Sequence, residues 1–233
     1  YSDMAVGLGL MFGFTFPINF NSPYQAVSMT DFWRRWHISL SSWLRDSLYI
    51  ALGGNRISRA RTYVNLFLVM LLGGLWHGAN WTFVVWGAYH GILLAVERLV
   101  GIRATDRRPW GYRLTTFVLV AFGWVVFRAP SMEQSLQVWL GLLGAHGWGS
   151  LAGYELGIPV PWSLAILAAV CALSWWSPNA WVLLRPCEDG HTRPFGDRGA
   201  TALWAALALT VVFLLSVAVM LINTSSPFLY FQF

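Results

Sequence analysis

The residue with the strongest chemical signal is a histidine between two apolar runs. His77 occurs in the segment Gly73-Gly74-Leu75-Trp76-His77-Gly78-Ala79-Asn80-Trp81, after an apolar run over Tyr63–Trp76 and before another over Trp81–Val96. An ionisable side chain in such surroundings is costly, which makes it a candidate functional residue. Because burial disfavours the charged imidazolium, this ring is expected to stay neutral and to accept a proton as a general base. A structural alternative stays open, in which a backbone carbonyl simply satisfies the ring.

Two further histidines could share the same cavity. His37 lies among tryptophans in a segment with helical periodicity, where it either packs or orients a substrate or His77. His90 lies inside the run after His77, and helix packing explains it as well as a cavity does. His146 and His191 lie in loops and are assigned no role.

The sequence contains no motif that indicates another kind of catalytic or metal site. His77 and His90 do not have the i, i+4 spacing that places two metal ligands on one helix face, so no metal site is predicted. There is no serine nucleophile elbow, no phosphate-binding glycine loop and no carboxylate pair. The two cysteines, Cys171 and Cys187, are interpreted as unpaired thiols. A lone histidine fits acyl transfer to a hydroxyl better than a proton pump or a glycoside hydrolase, since both of those need carboxylates.

The composition predicts a membrane protein. Apolar residues make up 57% of the 233 residues and charged residues only 11%, and there are 15 tryptophans. A soluble domain carries about 25% charged residues. The net charge of +5 comes from arginines in loops between apolar runs, which is the pattern of membrane topology. We therefore expect a lipid bilayer and no nucleic acid as the environment of this chain.

The apolar runs predict an all-α, polytopic transmembrane bundle. The runs on either side of His77 are short for a crossing of about 20 residues, so short or re-entrant helices are expected to meet around this buried histidine. The run Met4–Phe20 is interpreted as the end of a span. Three plainer spans are predicted, the first two extending into their flanks: Leu114–Phe127, Trp162–Trp176 and Ala200–Ile222. The sequence opens directly in apolar sequence, so we interpret residues 1–233 as the C-terminal part of one membrane domain whose N-terminal spans are missing.

The segment Asp31–Ile50 predicts one amphipathic helix. Trp33, His37, Leu40 and Leu44 fall on one stripe, whereas the arginines fall on the other side. Such a helix suits the membrane surface or the rim of a protein cavity. Ser28 and Asp31 have the spacing of a capping box at its start.

Loop charge predicts the orientation. Arginines are dense in 98–113 and occur in 185–198, whereas 129–161 contains none. The loops 98–113 and 185–198, and the stretch from Arg34 to Arg61, are therefore expected in the cytoplasm. The loop 129–161 and the C-terminal tail are expected outside.

The two histidine segments resemble a known family, the membrane-bound O-acyltransferases (MBOAT), and within it the alginate O-acetyltransferase (AlgI-like) branch. The resemblance is dense from residue 1 to about residue 98 and returns in the tail. The segments that carry it are Tyr1–Leu10, Asp31-Phe-Trp-Arg-Arg-Trp-His-Ile-Ser-Leu40, Ser42-Trp-Leu-Arg-Asp46, Leu52-Gly-Gly-Asn-Arg56, Gly74-Leu-Trp-His-Gly-Ala-Asn-Trp81 and Pro227–Phe233.

The resemblance implies a multi-span helical protein with a tunnel through the bilayer, and an O-acyltransferase activity. It implies that His77 is catalytic and that His37 is the second functional histidine. His37, Asn80 or backbone N–H groups near Gly78 are expected to hold the oxyanion. Substrate contacts are expected from the residues around the two histidines, namely Arg34, Arg35, Trp36, Trp76, Asn80 and Trp81.

The same resemblance implies an acyl thioester donor such as acetyl-CoA, and no bound cofactor. The acetyl group would end on an exported polysaccharide, with acetyltransferase partners in the periplasm and the protein itself in the bacterial inner membrane. Alginate, cellulose-like polymers, peptidoglycan and teichoic acids all stay open as acceptors. A non-catalytic transporter or scaffold subunit of an exopolysaccharide-modifying complex is the alternative function.

Overall fold

A computed structural model describes residues 2–102, 110–147, 160–177, 179 and 211. The chain divides into two compact units, Tyr1–Ser177 and Pro178–Phe233. The eight α-helices that can be described all lie in the first unit. The predicted span Ala200–Ile222, the loop 185–198, Cys187 and the C-terminal tail lie outside the described residues.

The first helix, α1 (Ser2–Met11), ends well before the apolar run does. Gly13 has a positive φ of 79°, and the N–H of Phe14 donates to the carbonyl of Gly9 at 2.9 Å. This hydrogen bond and the left-handed glycine form a Schellman cap. The prediction that Met4–Phe20 is the end of one span is therefore wrong beyond Met11, because the chain turns there.

The predicted single helix over Asp31–Ile50 is two helices, α2 (Met29–Arg35) and α3 (Ile38–Leu44). Trp36 is extended and His37 is left-handed, with φ 45° and ψ 55°. A one-turn π-helix, Arg45–Tyr49, continues directly from α3. The stripe that was predicted to carry Trp33 and His37 together therefore does not exist.

Tertiary hydrogen bonds explain the break between α2 and α3. The carbonyl of Arg35 accepts from the N–H of Asn21, and the N–H of Ile38 donates to the carbonyl of Asn19, each at 2.9 Å. These backbone groups are therefore satisfied by the preceding segment. Without that segment, they would bond along a continuous helix.

The start of α2 is buried and fixed to a distant helix. The Ser28 hydroxyl caps it by accepting from the N–H of Asp31 at 3.1 Å, as the sequence predicted. The Glu97 carboxylate accepts from the N–H groups of Met29 and Thr30. A carboxylate at a helix N-terminus also interacts favourably with the helix dipole. This end of α2 is therefore anchored in protein and does not lie on a membrane surface.

The helices α4 (Arg59–His77) and α5 (Trp81–Val100) form a close antiparallel hairpin that turns at residues 78–80. Gly74 and Gly87 make this closeness possible: a Cβ on Gly74 would lie 2.3 Å from the Phe83 carbonyl oxygen, and one on Gly87 would lie 2.4 Å from that of Met70. Small residues at helix crossings are typical of membrane bundles.

A second hairpin, formed by α2 and α3, lies against the first. Glu97 holds the beginning of α2, whereas the Trp33 ring lies 5.7 Å from that of Trp86, so α2 runs antiparallel to α5. The chain then returns along α4, where Asn65 donates to the carbonyls of Leu52 and Gly54 at 3.1 and 3.0 Å. His37 lies at the turn of this re-entrant hairpin.

Three further helices complete the described part: α6 (Trp110–Arg128), α7 (Met132–Leu142) and α8 (Val160–Trp176). The run Leu114–Phe127 extends into its flanks as predicted. The Tyr89 hydroxyl donates to the Leu119 carbonyl at 2.9 Å, which joins α5 to α6.

The outer surface of α5 and α6 is apolar. Both helices are long and apolar enough to cross a membrane, and only 39% and 22% of their apolar windows are buried. Large side chains such as Leu99 and Trp81 are 72% and 75% exposed. Apolar exposure on this scale is unfavourable in water and favourable in lipid. The buried core lies inside these helices and contains Ala26, Met29, Phe32, Met70, Leu94 and Val120.

Candidate active site

His77 is the last residue of α4 and is surrounded by aromatic rings. Its ring centroid lies 5.1 Å from Trp76, 6.1 Å from Phe83, 5.4 Å from Trp86 and 5.1 Å from Phe127. The ring therefore lies among protein side chains of α4, α5 and α6. Gly78, with φ 155°, ends α4 immediately after it.

The two ring nitrogens of His77 differ in their surroundings. Nδ1 is buried and has no hydrogen-bond partner in the described part of the chain, whereas Nε2 is not a buried nitrogen without a partner. Nε2 is therefore the nitrogen left to face a reactant. A neutral imidazole carries one N–H and one acceptor nitrogen, so a proton on Nδ1 would make Nε2 the base.

His37 is held in its left-handed conformation by Asn19. The Asn19 side-chain oxygen accepts from the N–H of Ser39 at 3.1 Å and from its hydroxyl at 3.0 Å, and its carbonyl holds Ile38. A left-handed conformation is uncommon for a residue with a Cβ and is typical of positions under functional constraint. Nδ1 of His37 lies 3.5 Å from the Ser39 hydroxyl.

The structure brings His37 and His77 together. The two rings are close enough that a positive charge on His37 would oppose protonation of His77. Burial lowers the pKa of His37 below its ordinary value of 6.5, and a backbone hydrogen bond only partly opposes this effect. His37 is therefore neutral at physiological pH, which leaves its N–H available as a donor and imposes no positive charge on His77.

The predicted substrate residues on α2 have different surroundings. Trp36 packs between Phe32, Phe20 and Trp124, at ring distances of 5.6, 4.9 and 5.3 Å. Arg34 is exposed. Arg35 pairs with Asp31 through a 2.7 Å contact. A substrate contact from these three residues stays a prediction, and Trp36 has a clear packing role.

The predicted Arg-rich face from Arg34 to Arg61 is divided. Arg56, Arg59 and Arg61 lie near the start of α4, which is the end of the hairpin where Arg98 also lies. Arg34 and Arg35 lie next to the His37 turn instead, because α2 runs towards the other end. These two groups of arginines lie at opposite ends of the hairpin, so the expectation that the whole stretch faces the cytoplasm does not hold for both of them.

The predicted substrate residues around the hairpin turn also differ from one another. Trp76 and Trp81 are 60% and 75% exposed. Asn80 caps α5, since its side-chain oxygen accepts from the N–H of Thr82 at 3.1 Å, and its amide donates to the Pro130 carbonyl at 3.3 Å. The Asn80 side chain is thus already engaged in fixing the turn next to His77.

Several residues of the site were missed from sequence. Phe83 and Trp86 precede His90 on α5 at positions i, i+3 and i+7, so helical periodicity could have placed these two rings on one face with His90, which the sequence had already offered as a possible cavity residue. Phe127 and Asn19 carried no local signal, because they reach the site only through tertiary packing.

A cavity of about 380 Å³ lies at the opposite end of the bundle. It is lined by the start of α2, the end of α5 and the start of α6, including Glu97, Tyr112 and Leu119. It is therefore separate from the histidine pair.

Comparison with known proteins identifies the family of this chain. The sequence model of the membrane-bound O-acyltransferase family, MBOAT, matches residues 1–132. This range includes both histidines and the complete α4–α5 hairpin. This chain belongs to the membrane-bound O-acyltransferase family. As a member of this family it is a membrane protein, in agreement with the apolar outer surface of α5 and α6.

Three curated relatives illustrate the similarity. The probable alginate O-acetylase AlgI of Pseudomonas putida is 42% identical over all of this chain and 50% of its own length. The AlgI of Pseudomonas aeruginosa is 53% identical over 67% of this chain and 32% of its own length. The peptidoglycan O-acetyltransferase of Helicobacter pylori is 49% identical over 63% of this chain and 29% of its own length. The chain thus spans half or less of the length of these relatives.

Proposed function

We propose that this chain supplies the base of an O-acyltransferase that esterifies hydroxyls of a polysaccharide, and that His77 is that base. The observation that carries the proposal is the position of His77 in a chain of this family. Its ring is enclosed by four aromatic rings at the end of the α4–α5 hairpin, with His37 beside it.

The reaction needs one proton acceptor at the hydroxyl. Nε2 of His77 takes the proton as the hydroxyl oxygen attacks the thioester carbonyl, and the new C–O bond gives a tetrahedral oxyanion. The C–S bond then breaks, and the imidazolium returns its proton to the departing thiolate. The products are an ester and a free thiol, and the base is regenerated.

His37 is the best available donor for the oxyanion. The N–H of Gly78 already donates to the Leu75 carbonyl at 3.2 Å, and the Asn80 amide is bonded to Pro130. Of the side chains that the sequence suggested, the neutral ring of His37 is the one whose N–H is left for this role. Preorganised donors of this kind are often the largest single contribution to catalysis.

The donor is a cytoplasmic acyl thioester such as acetyl-CoA. Five exposed arginines mark one end of the described helices, namely Arg56, Arg59, Arg61, Arg98 and Arg113. Basic residues favour the cytoplasmic side and attract anionic donors. His77 lies at the other end of α4, roughly 27 Å away at 1.5 Å per residue. The acyl group would therefore cross most of the bilayer before it reaches the base.

The acceptor is a polysaccharide on the outer side of the bacterial inner membrane, with partner acetyltransferases in the periplasm. This part of the proposal is supported by relatives named for alginate and peptidoglycan O-acetylation. The C-terminus would then also lie outside. A transporter or scaffold subunit would need neither histidine.

The experiment uses the purified full-length protein in lipid vesicles, with acetyl-CoA as donor and soluble oligosaccharides as acceptors. We expect acetyl ester on the acceptor and an equal amount of free thiol, both dependent on the acceptor. Absence of ester with acetyl-CoA and with other acyl thioesters would reject an enzymatic function.

A further inference from the structure

A group of buried ring nitrogens next to His77 has no hydrogen-bond partner. His90 is 0% exposed, and its ring lies 4.9 Å from that of Trp86 and 5.2 Å from that of Trp33. Among the described residues, both nitrogens of His90 and the indole N–H groups of Trp33 and Trp86 lack partners. Because the Trp86 ring also lies 5.4 Å from His77, the group extends to the unpartnered Nδ1 of His77.

Packing alone does not account for this group. Buried polar atoms are nearly always paired, and four residues with unpaired nitrogens in one contiguous cluster are unusual. The helix α6 faces His90 through Gly123, where a Cβ would lie 3.0 Å from Nε2, so that position offers no side-chain partner.

The chemistry of the group defines its ligand. An indole is only a donor, and a neutral imidazole has one donor and one acceptor nitrogen. The cluster therefore has more donors than acceptors, and its members cannot satisfy one another. An oxygen with two lone pairs and two hydrogens complements it, and the burial of all these nitrogens favours a ligand of the size of water. Buried water commonly bridges polar groups of this kind.

We propose that His90, Trp33 and Trp86 bind ordered water that continues to Nδ1 of His77, and that His90 is a positioning residue for this base. The inference rests on the proposed function. A water that accepts from the Nδ1–H of His77 keeps the proton on that nitrogen and leaves Nε2 free to act as base, since the partner of one ring nitrogen sets the state of the other.

The kinetic test compares two substitutions of His90 in the purified full-length protein. His90→Phe keeps a ring but removes both hydrogen-bonding nitrogens, whereas His90→Asn keeps a donor and an acceptor. We expect His90→Phe to lower kcat roughly 10–100-fold, by analogy with the loss of hydrogen-bond partners of metal-bound histidines, with KM for the donor unchanged. His90→Asn should retain more of kcat. His146→Phe, at an exposed loop position, is the control and should behave like the wild type.

A spectroscopic test is independent of activity. Ultraviolet resonance Raman difference spectra against Trp33→Phe and Trp86→Phe isolate the N–H signals of these two indoles. We expect hydrogen-bonded indoles in the wild type, and weaker bonding in His90→Phe than in His90→Asn.

The outcomes of these tests distinguish the proposed water site from the proposed acyltransferase function. Free indole N–H groups in the wild type, or a folded His90→Phe protein with wild-type kcat, would overturn the water site. Hydrogen-bonded indoles in a wild-type protein that transfers no acyl group would support the water site and overturn the proposed function.

Discussion

At the residue scale, the site depends on two uncharged imidazoles that are held in place by different contacts. His77 is held by aromatic rings, whereas His37 is held by the backbone turn that Asn19 fixes. Neither ring is paired with a carboxylate in the described part of the chain. Both rings therefore depend on burial and on neutral hydrogen bonds for their protonation state.

The lowered pKa of His37 predicts how stability depends on pH. Burial lowers the pKa of His37 below 6.5, so below about 6.5 the unfolded chain binds a proton that the folded chain does not. Folding stability should therefore fall as the pH drops from this value towards the lowered pKa, and should be unaffected by His37 above it. Thermal unfolding of the full-length protein in micelles across this range measures the effect.

His37→Gln should reduce this acid-side loss of stability without abolishing it, because the buried rings of His77 and His90 also resist protonation. The exposed control His146→Gln should preserve the full loss. Equal pH dependence of the wild type and His37→Gln would show that His37 titrates normally in the folded protein.

Residue types and spacing were sufficient to single out His77 as a candidate, because a histidine between two apolar runs is detectable without a structure. They did not identify Asn19 or Phe127. Each of these two residues reaches the site through a contact with a residue far along the chain, and the sequence around it does not indicate that contact. His90 was placed among packing residues and cavity residues equally, and only its unpartnered nitrogens distinguish it.

At the element scale, the α4–α5 hairpin positions His77 by bringing two backbones into contact. Gly74→Ala should push the helices apart, because its Cβ would lie 2.3 Å from the Phe83 carbonyl oxygen. We expect a loss of about 1–3 kcal/mol of stability, as for other overpacked cores. Thermal unfolding and the amount of folded protein in the membrane measure it.

Gly111→Ala is the matched control, because Gly111 is also helical and a Cβ there would meet nothing within 4 Å. It should be neutral or stabilising by up to about 1 kcal/mol. Equal effects of the two substitutions would show that the α4–α5 contact is looser than described.

Helices were easier to predict than their ends. Periodicity found the helical character of Asp31–Ile50 and the cap at Ser28, but missed the break at His37. That break results from hydrogen bonds with Asn19 and Asn21, which compete with the helix only in the folded state. The helices beside His77 are longer than the apolar runs predicted, because apolar sequence ends before the helices do: α4 begins at Arg59 and α5 ends at Val100.

At the scale of the whole molecule, the proposed reaction needs the arginine end of the hairpin in the cytoplasm and the His77 end towards the outside. With Cys171 and Cys187 replaced by serine, a cysteine introduced by His146→Cys should react with an impermeant thiol reagent in intact cells. A cysteine introduced by Arg56→Cys should react only after the membrane is opened. Both positions are exposed. The reverse pattern of labelling would invert the proposed orientation.

The central claim is that the ring of His77 removes the proton from the acceptor hydroxyl, and the turnover of His77→Gln in the full-length protein tests it most directly. We expect kcat for acyl transfer to fall by roughly 10²–10⁴-fold, the usual contribution of a general base, with the amount of folded protein unchanged. His146→Gln should keep wild-type kcat. Wild-type turnover in His77→Gln would contradict the account.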